Sequence, residues 1–377
     1  MQTLDAIDSL LLVVNANYQF LLNLIVFIAS RLPIVWAAHI TTYSSFLVAG
    51  FVAYLLLVAA RQFALPWFVG LLLVLIWALL PPTYEVFATA TNVQWVCSVS
   101  MLLICTLDLS AISKSARRSA YGWAIVCGLT GVPSCILAPG FLLRAALDRS
   151  RPHLVIGFIL VVCVVVELGI ILSHDIGGGR IFTLDPQVLV LPTLMQTILV
   201  PLLGAAIVEY FGSHIQADLP RLGFWAAGSG LIAFAIVAIV SVTAWSGERR
   251  RHVTIITLLW LWAGTSVINT FGSLGNPVGL IGPLNGGRYY LLGAVAFSLL
   301  LALCTNVPNR IAATMAICTL GLIVVVSSAV SVGHRHWRSV FTSGGPSWRH
   351  EVERCGTERP CRVTIWPANW TFNLLLK

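Results

Sequence analysis

Residues 153–173 read HLVIGFILVVCVVVELGIILS, a run of 21 positions in which Glu167 is the one acidic side chain. A helix needs about 20 apolar residues to cross a bilayer's hydrocarbon, and this stretch has the length without the polar face of a helix lying on a soluble core. Working outward, comparable apolar stretches occupy Pro33–Ala60, Ala64–Pro81, Ala88–Asp108, Leu191–Phe211, Gly223–Trp245, Val253–Phe271, Tyr289–Cys304 and Ile311–Val332. The 377 residues are 58% hydrophobic and 10% charged, against about 25% charged in soluble domains. That composition excludes an ordinary soluble enzyme. The fold class expected is all-α, a polytopic transmembrane helical bundle of about nine crossings with added re-entrant or interfacial helices, ending in a small C-terminal extramembrane tail.

Three divisions follow: interfacial or external loop helices over 1–32, a transmembrane helical domain over 33–332, and a polar tail over 333–377 that reads as external. Basic residues outnumber acidic ones by 22 to 14, and all but Lys114 and Lys377 are arginine. They fall in short clusters between apolar runs, at Lys114/Arg117/Arg118, Arg144/Arg149/Arg151 and Arg249/Arg250/Arg251. Such clusters mark cytoplasmic loops and argue against nucleic acid as a partner. Met1 is followed by Asp5 and Asp8 instead of a basic leader, so no cleavable signal peptide is read.

Two stretches resist a simple count. Only 25 residues lie between Arg118 and Arg144, too few for two crossings, and Leu129-Thr130-Gly131-Val132-Pro133 interrupts them; a re-entrant hairpin of two half-helices is expected. Between Arg151 and Arg249 the parity closes only if one of three apolar segments is re-entrant or split, and Asp185–Phe211, with Pro186, Pro192 and Pro201, is the one expected. In the tail, residues 360–367 and 370–376 read as two short strands.

Ionisable groups inside a bilayer are costly and therefore functional candidates. Glu167 is either a carboxyl satisfied by a neighbouring helix or kept protonated, or a proton or substrate site, and His39 reads as a structural histidine. Polar groups gather at segment ends assigned to the outside: Glu85 before Thr91-Asn92-Val93-Gln94-Trp95, His174 and Asp175 before Gly177-Gly178-Gly179-Arg180, and Asn285-Gly286-Gly287-Arg288-Tyr289-Tyr290. An arginine reached through a glycine turn holds a phosphate by two parallel hydrogen bonds; for Arg288 the other reading is interfacial anchoring beside Tyr289 and Tyr290. Seven of nine cysteines lie in apolar segments and read as small buried hydrophobes. Cys355 and Cys361 flank a polar loop that a disulfide can close. No spacing of the metal-ligand kind is present.

The order of these features resembles bacterial polytopic proteins of the C-type (GT-C) glycosyltransferase superfamily, in a poorly characterised branch. The residues that carry the resemblance are Asp8-Ser9-Leu10, Asn17-Tyr18-Gln19, Leu32-Pro33, Thr91 to Trp95, Leu129 to Pro133, Gly287 to Tyr290, and Val363 to Pro367 with Trp370. The resemblance implies an enzyme of the bacterial cytoplasmic membrane that moves a sugar from a polyprenyl-phosphate donor to an envelope acceptor. Its partners would be membrane lipid and the lipid-linked sugar. In such enzymes an acidic residue of the first external loop serves as base or metal ligand, so a divalent metal ion is the one cofactor the resemblance admits. Carried over, Asp8 or Asp5 would be the base, Arg288 and Arg180 would meet the departing lipid phosphate, and Asn92, Gln94 and Trp95, with Tyr289 and Glu85, would bind the sugar. The pattern departs at the start, where no membrane helix precedes Asp5 and Asp8 and the chain reads as beginning within the first external loop. A lipid-glycan transporter or flippase, and a non-catalytic membrane scaffold, are the competing readings.

Overall fold

The architecture was analysed in a computed structural model that describes residues 10–14, 17–81, 83, 86–87, 90–173, 185–218, 223–245, 249–271, 277–282, 286–333, 348–355, 361–365 and 370–374. Helices dominate. In order they are α1 (Phe20–Ser30), α2 (Ala37–Gln62), α3 (Trp67–Leu79), α4 (Val93–Thr106), α5 (Lys114–Gly128), α6 (Val132–Cys135), α7 (Ala138–Asp148) and α8 (Arg151–Ser173). They continue as α9 (Pro186–Leu194), a π-helical turn (Met195–Leu199), α10 (Val200–Leu203), α11 (Ala205–Asp218), α12 (Gly223–Ala244), α13 (Arg249–Phe271), α14 (Leu291–Cys304), α15 (Arg310–Gly333) and α16 (Trp348–Cys355). Two antiparallel hairpins complete the fold, β1 (Val13–Val14) with β2 (Asn17–Tyr18), and β3 (Cys361–Ile365) with β4 (Trp370–Leu374).

Among the described residues five helical stretches are long and apolar enough to cross a membrane: Ile34–Gln62, Arg151–Ser173, Arg249–Phe271, Gly287–Cys304 and Arg310–Val330. Every residue of α14 is buried, making it the hub against which α13, α12, α15 and α4 pack. Outward faces stay apolar, with Phe158, Val162 and Leu172 on α8 and Leu231, Phe234 and Val242 on α12 all exposed. Water does not tolerate apolar faces of that extent, but hydrocarbon does. Cys318, expected to be buried, lies exposed on α15, and the other six cysteines of the apolar segments are buried.

The basic clusters assemble at one end. Gln62 and Asp108 exchange hydrogen bonds (3.0 and 3.4 Å), Arg249 Nη2 donates to the Leu147 carbonyl (3.0 Å), and Arg251 Nη1 donates to that of Asn306 (2.7 Å). These bonds tie the ends of α2, α4, α7 and α14 to the start of α13. Trp245 stacks on His252 at 4.3 Å, bringing the chain after α12 to the same place. α16 lies at the other end, where Trp348 Nε1 donates to the Ile34 carbonyl (2.9 Å).

Both irregular segments contain breaks in their helices. α5 rises from the basic end, the chain breaks at Leu129–Gly131, where Gly131 holds φ 140°, and α6 and α7 return it to Asp148. Ser113 caps α5 by accepting from the Ala116 amide (3.2 Å), and Arg149, at φ 53°, ends α7. In the second segment Pro192 and Pro201 remove amide donors, and the π turn and Gly204 (φ 87°) absorb the distortion. Gln196 Nε2 fixes this segment to the Leu280 and Gly282 carbonyls (3.0 and 2.9 Å), far from the basic end. From Arg151 to Arg249 the chain thus runs away on α8 and back on α12.

Two local expectations are corrected. In Leu10–Val14, read as part of an interfacial helix, Leu10 is helical but Val13–Val14 pairs with Asn17–Tyr18 as a strand, and Asn23 Nδ2 donates to the carbonyls of Leu10 and Leu12 (3.1 and 2.8 Å). Arg144, read as a loop charge, is only 2% exposed. It reaches inward from α7 to donate to the Thr106 carbonyl (2.8 Å) and Thr254 Oγ1 (3.1 Å).

Candidate functional site

The N-terminal segment lies across the break between α5 and α6. Phe20 N donates to the Leu129 carbonyl (2.9 Å) and Leu21 N to Thr130 Oγ1 (3.3 Å). These two bonds are available because the break leaves carbonyl and hydroxyl groups outside the helical ladder. Two residues before Phe20, Tyr18 N points at Glu167 Oε2 (3.4 Å). Glu167 stands about 24 Å up α8 from Arg151, and Gly128 about 21 Å up α5 from Lys114, at 1.5 Å per residue; carboxyl and break are level. Glu167 is 1% exposed. Its carboxyl is met by the backbone of the N-terminal strand and not, as the sequence suggested, by a neighbouring helix.

Gly131 faces the Gln94 side chain so closely that a methyl group there would collide with Oε1. Gln94 opens α4 next to Trp95, whose ring packs edge-on against Tyr289 with centroids 5.1 Å apart. The Arg288 guanidinium lies 5.4 Å from the centre of the same tyrosine ring, a cation–π arrangement. Asn269 Nδ2 donates to the Tyr289 carbonyl (2.7 Å), and Thr270 Oγ1 and Tyr290 OH share a 2.6 Å hydrogen bond. The 3₁₀ turn Gly287–Tyr290 is thereby fastened to α13. Tyr289 and Tyr290 are buried within the bundle, and the Tyr289 ring lies against the Arg288 guanidinium.

The structure therefore brings together Gln94, Trp95, Arg288 and Tyr289, adjoining the 3₁₀ turn that ends at Asn92. To these it adds Glu167, which the sequence already offered as a proton or substrate site, and Tyr18, Gln19, Thr130 and Ser134, to which the sequence assigned no binding role. Four buried polar atoms on these segments, Gln19 Oε1, Trp95 Nε1, Ser134 Oγ and Glu167 Oε1, have no hydrogen-bond partner among the described residues. Buried polar atoms are ordinarily paired, and such a set suits the hydroxyls of a polar ligand. The signal that could have found them was the polar composition of Asn17–Gln19 and Leu129–Ser134 inside an apolar chain.

Asp5, Asp8, Glu85 and Arg180, with His174, Asp175 and Gly177–Gly179, lie outside the described residues. Asp8 precedes by two positions Leu10, whose carbonyl Asn23 holds. Cys355 closes α16 and Cys361 opens β3; the side chains of both are likewise outside. His39 is exposed on α2 between Trp36 and Tyr43, at ring distances of 5.7 and 6.3 Å. Among the described residues no three His, Cys, Asp or Glu side chains gather closely enough to hold a metal ion, so no step is assigned to one. Set against known protein families, curated proteins and solved structures, the chain finds no match.

Proposed function

We propose that the protein resides in the bacterial cytoplasmic membrane, crosses it about nine times, and transfers a sugar from a polyprenyl phosphate to an envelope acceptor. The observation that supports this most is convergence. Asn17–Gln19, Leu129–Gly131, Gln94–Trp95 and Arg288–Tyr289, distant in sequence, meet around one level of the bundle, away from the basic clusters that mark a cytoplasmic side. A lipid-phosphate donor would place its phosphate at that level and its chain in the surrounding hydrocarbon.

In this reading the acceptor oxygen attacks the anomeric carbon, the bond from that carbon to the phosphate oxygen breaks, and the polyprenyl phosphate leaves with the electron pair. Asp8 or Asp5 takes the acceptor proton. Arg288, held on the Tyr289 ring, and Arg180 offset the growing phosphate charge. Gln94, Asn92 and Trp95, with Glu85, hold the sugar. The purified protein, given a short-chain polyprenyl-phosphate sugar and a soluble acceptor, is expected to release polyprenyl phosphate; Arg288→Ala is expected to lower kcat by about a hundredfold, the scale set by losing one charge-stabilising donor. Equal turnover by the two proteins would overturn the assignment of Arg288.

The transporter reading draws on a different observation, the interrupted helices at Leu129–Gly131 and Met195–Gly204. It predicts lipid-linked sugar translocated between leaflets of a proteoliposome with no sugar transferred, so the two readings separate in one reconstituted system.

A further inference from the structure

At the basic end a cavity of about 320 Å³ opens between the ends of α2, α4, α7, α13 and α14. Its lining includes Arg144, Arg250 and Arg251, with Asp108 as its one carboxylate. Arg250 Nη1 lies 2.7 Å from Asp108 Oδ2, and its side chain is 69% exposed. Arg144 spends Nη1 on the Thr106 carbonyl and Thr254. Its Nε carries no hydrogen bond, the nearby Asp148 Oδ2 standing 3.4 Å away. Arg251 donates through both Nη atoms to the carbonyls of Asn306 and Leu303, and its Nε too is buried without an acceptor.

Three guanidinium groups against two carboxylates, Asp108 in the lining and Asp148 beside Arg144, leave positive charge in excess, and burying Arg144 so completely is costly unless its donors are met. The 23-residue helix α13 begins at Arg249 beside the cavity. Its first-turn amides and the positive end of its dipole favour an anion there. A tetrahedral phosphate offers several acceptor oxygens to guanidinium donors approaching from different helices.

We infer that this cavity is a phosphate-binding site, separate from the proposed transfer site and built to take either the headgroup of an anionic lipid or a soluble phosphate. Both sources present the same chemistry to the arginines. Basic cavities between membrane helices on the cytoplasmic side suit lipid headgroups, and the cavity volume accommodates a phosphate with its glycerol.

The test uses the full chain, delipidated in a neutral detergent, and reads Tm on addition of inorganic phosphate, dihexanoyl phosphatidylglycerol or dihexanoyl phosphatidylcholine. At a hundredfold excess over Kd, ligand binding to the folded state raises Tm by about 3 °C. Phosphatidylglycerol is expected to give this rise and phosphatidylcholine, whose choline cation meets the arginines, a much smaller one. A rise with inorganic phosphate as well identifies a soluble ligand; a rise with phosphatidylglycerol alone identifies the headgroup. Arg250→Ala removes the most exposed of the three cations and is expected to weaken binding about tenfold. Asp108→Asn keeps the acceptor used by the Ser110 amide (2.9 Å) and removes the competing charge, so it tightens binding. Unliganded Tm and circular dichroism establish that each variant is folded. No rise with phosphate or phosphatidylglycerol, an equal rise with phosphatidylcholine, or a response that either variant leaves unaltered would overturn the proposal.

Discussion

Gly131 gives the sharpest test of the broken helix. Its φ of 140° and ψ of 164° fall in a region that only glycine enters freely, and holding another residue there costs about 1–3 kcal/mol. Alanine adds a steric cost, because its methyl collides with Gln94 Oε1 and comes within 3.4 Å of Gln94 Cβ. Moving that amide and re-forming its contacts costs about 1 kcal/mol more, so Gly131→Ala is expected to destabilise the protein by about 2–4 kcal/mol. The assay is reversible unfolding of the purified protein in mixed micelles, for wild type, Gly131→Ala, Gln94→Ala and the double variant. The double variant should recover the steric share, about 1 kcal/mol, and keep the backbone share. A neutral Gly131→Ala would refute the left-handed break, and strictly additive single effects would refute the contact with Gln94.

Three further outcomes follow from contacts elsewhere. Asn23→Ala removes both bonds to the Leu10 and Leu12 carbonyls and should cost about 2 kcal/mol; hydrogen exchange at residues 10–14 should rise in that variant before any other region responds. Thr197→Val leaves the buried Trp262 Nε1, now 3.1 Å from Thr197 Oγ1, without an acceptor, at a cost of about 1–3 kcal/mol, read as a lowered unfolding midpoint. In a cysteine-depleted background, Asn306→Cys and Arg349→Cys should label from opposite faces of the membrane with an impermeant maleimide, the first from the cytoplasmic face; labelling of both from one face would contradict the arrangement of the two ends.

Much of the framework was legible because apolar length and proline position act locally. Proline and glycine near residue 131, together with a span too short for two crossings, pointed to a hairpin; the three prolines of Asp185–Phe211 pointed to a split segment. Residues 360–367 and 370–376 alternate as strands do, and β3 and β4 form there. What stayed hidden depends on residues far apart in the chain. Tyr18 and Glu167 are separated by 149 positions, and neither periodicity nor composition announces that a strand amide will meet that carboxyl. Arg144 shows the same limit: in a cluster with Arg149 and Arg151 it reads as a loop charge, yet a helix places it inward, toward the Thr106 carbonyl. The Trp95–Tyr289 contact likewise turns two apparent surface aromatics into the support of Arg288.

The central claim is that the Arg288 end transfers a sugar to the envelope. The most direct measurement compares envelope glycans by mass spectrometry in a deletion strain complemented with wild type or with Arg288→Ala at equal membrane levels. The account predicts a missing sugar that wild type restores and Arg288→Ala does not, its mass naming the transferred group. Identical glycans in all three strains would contradict the account and favour a scaffold.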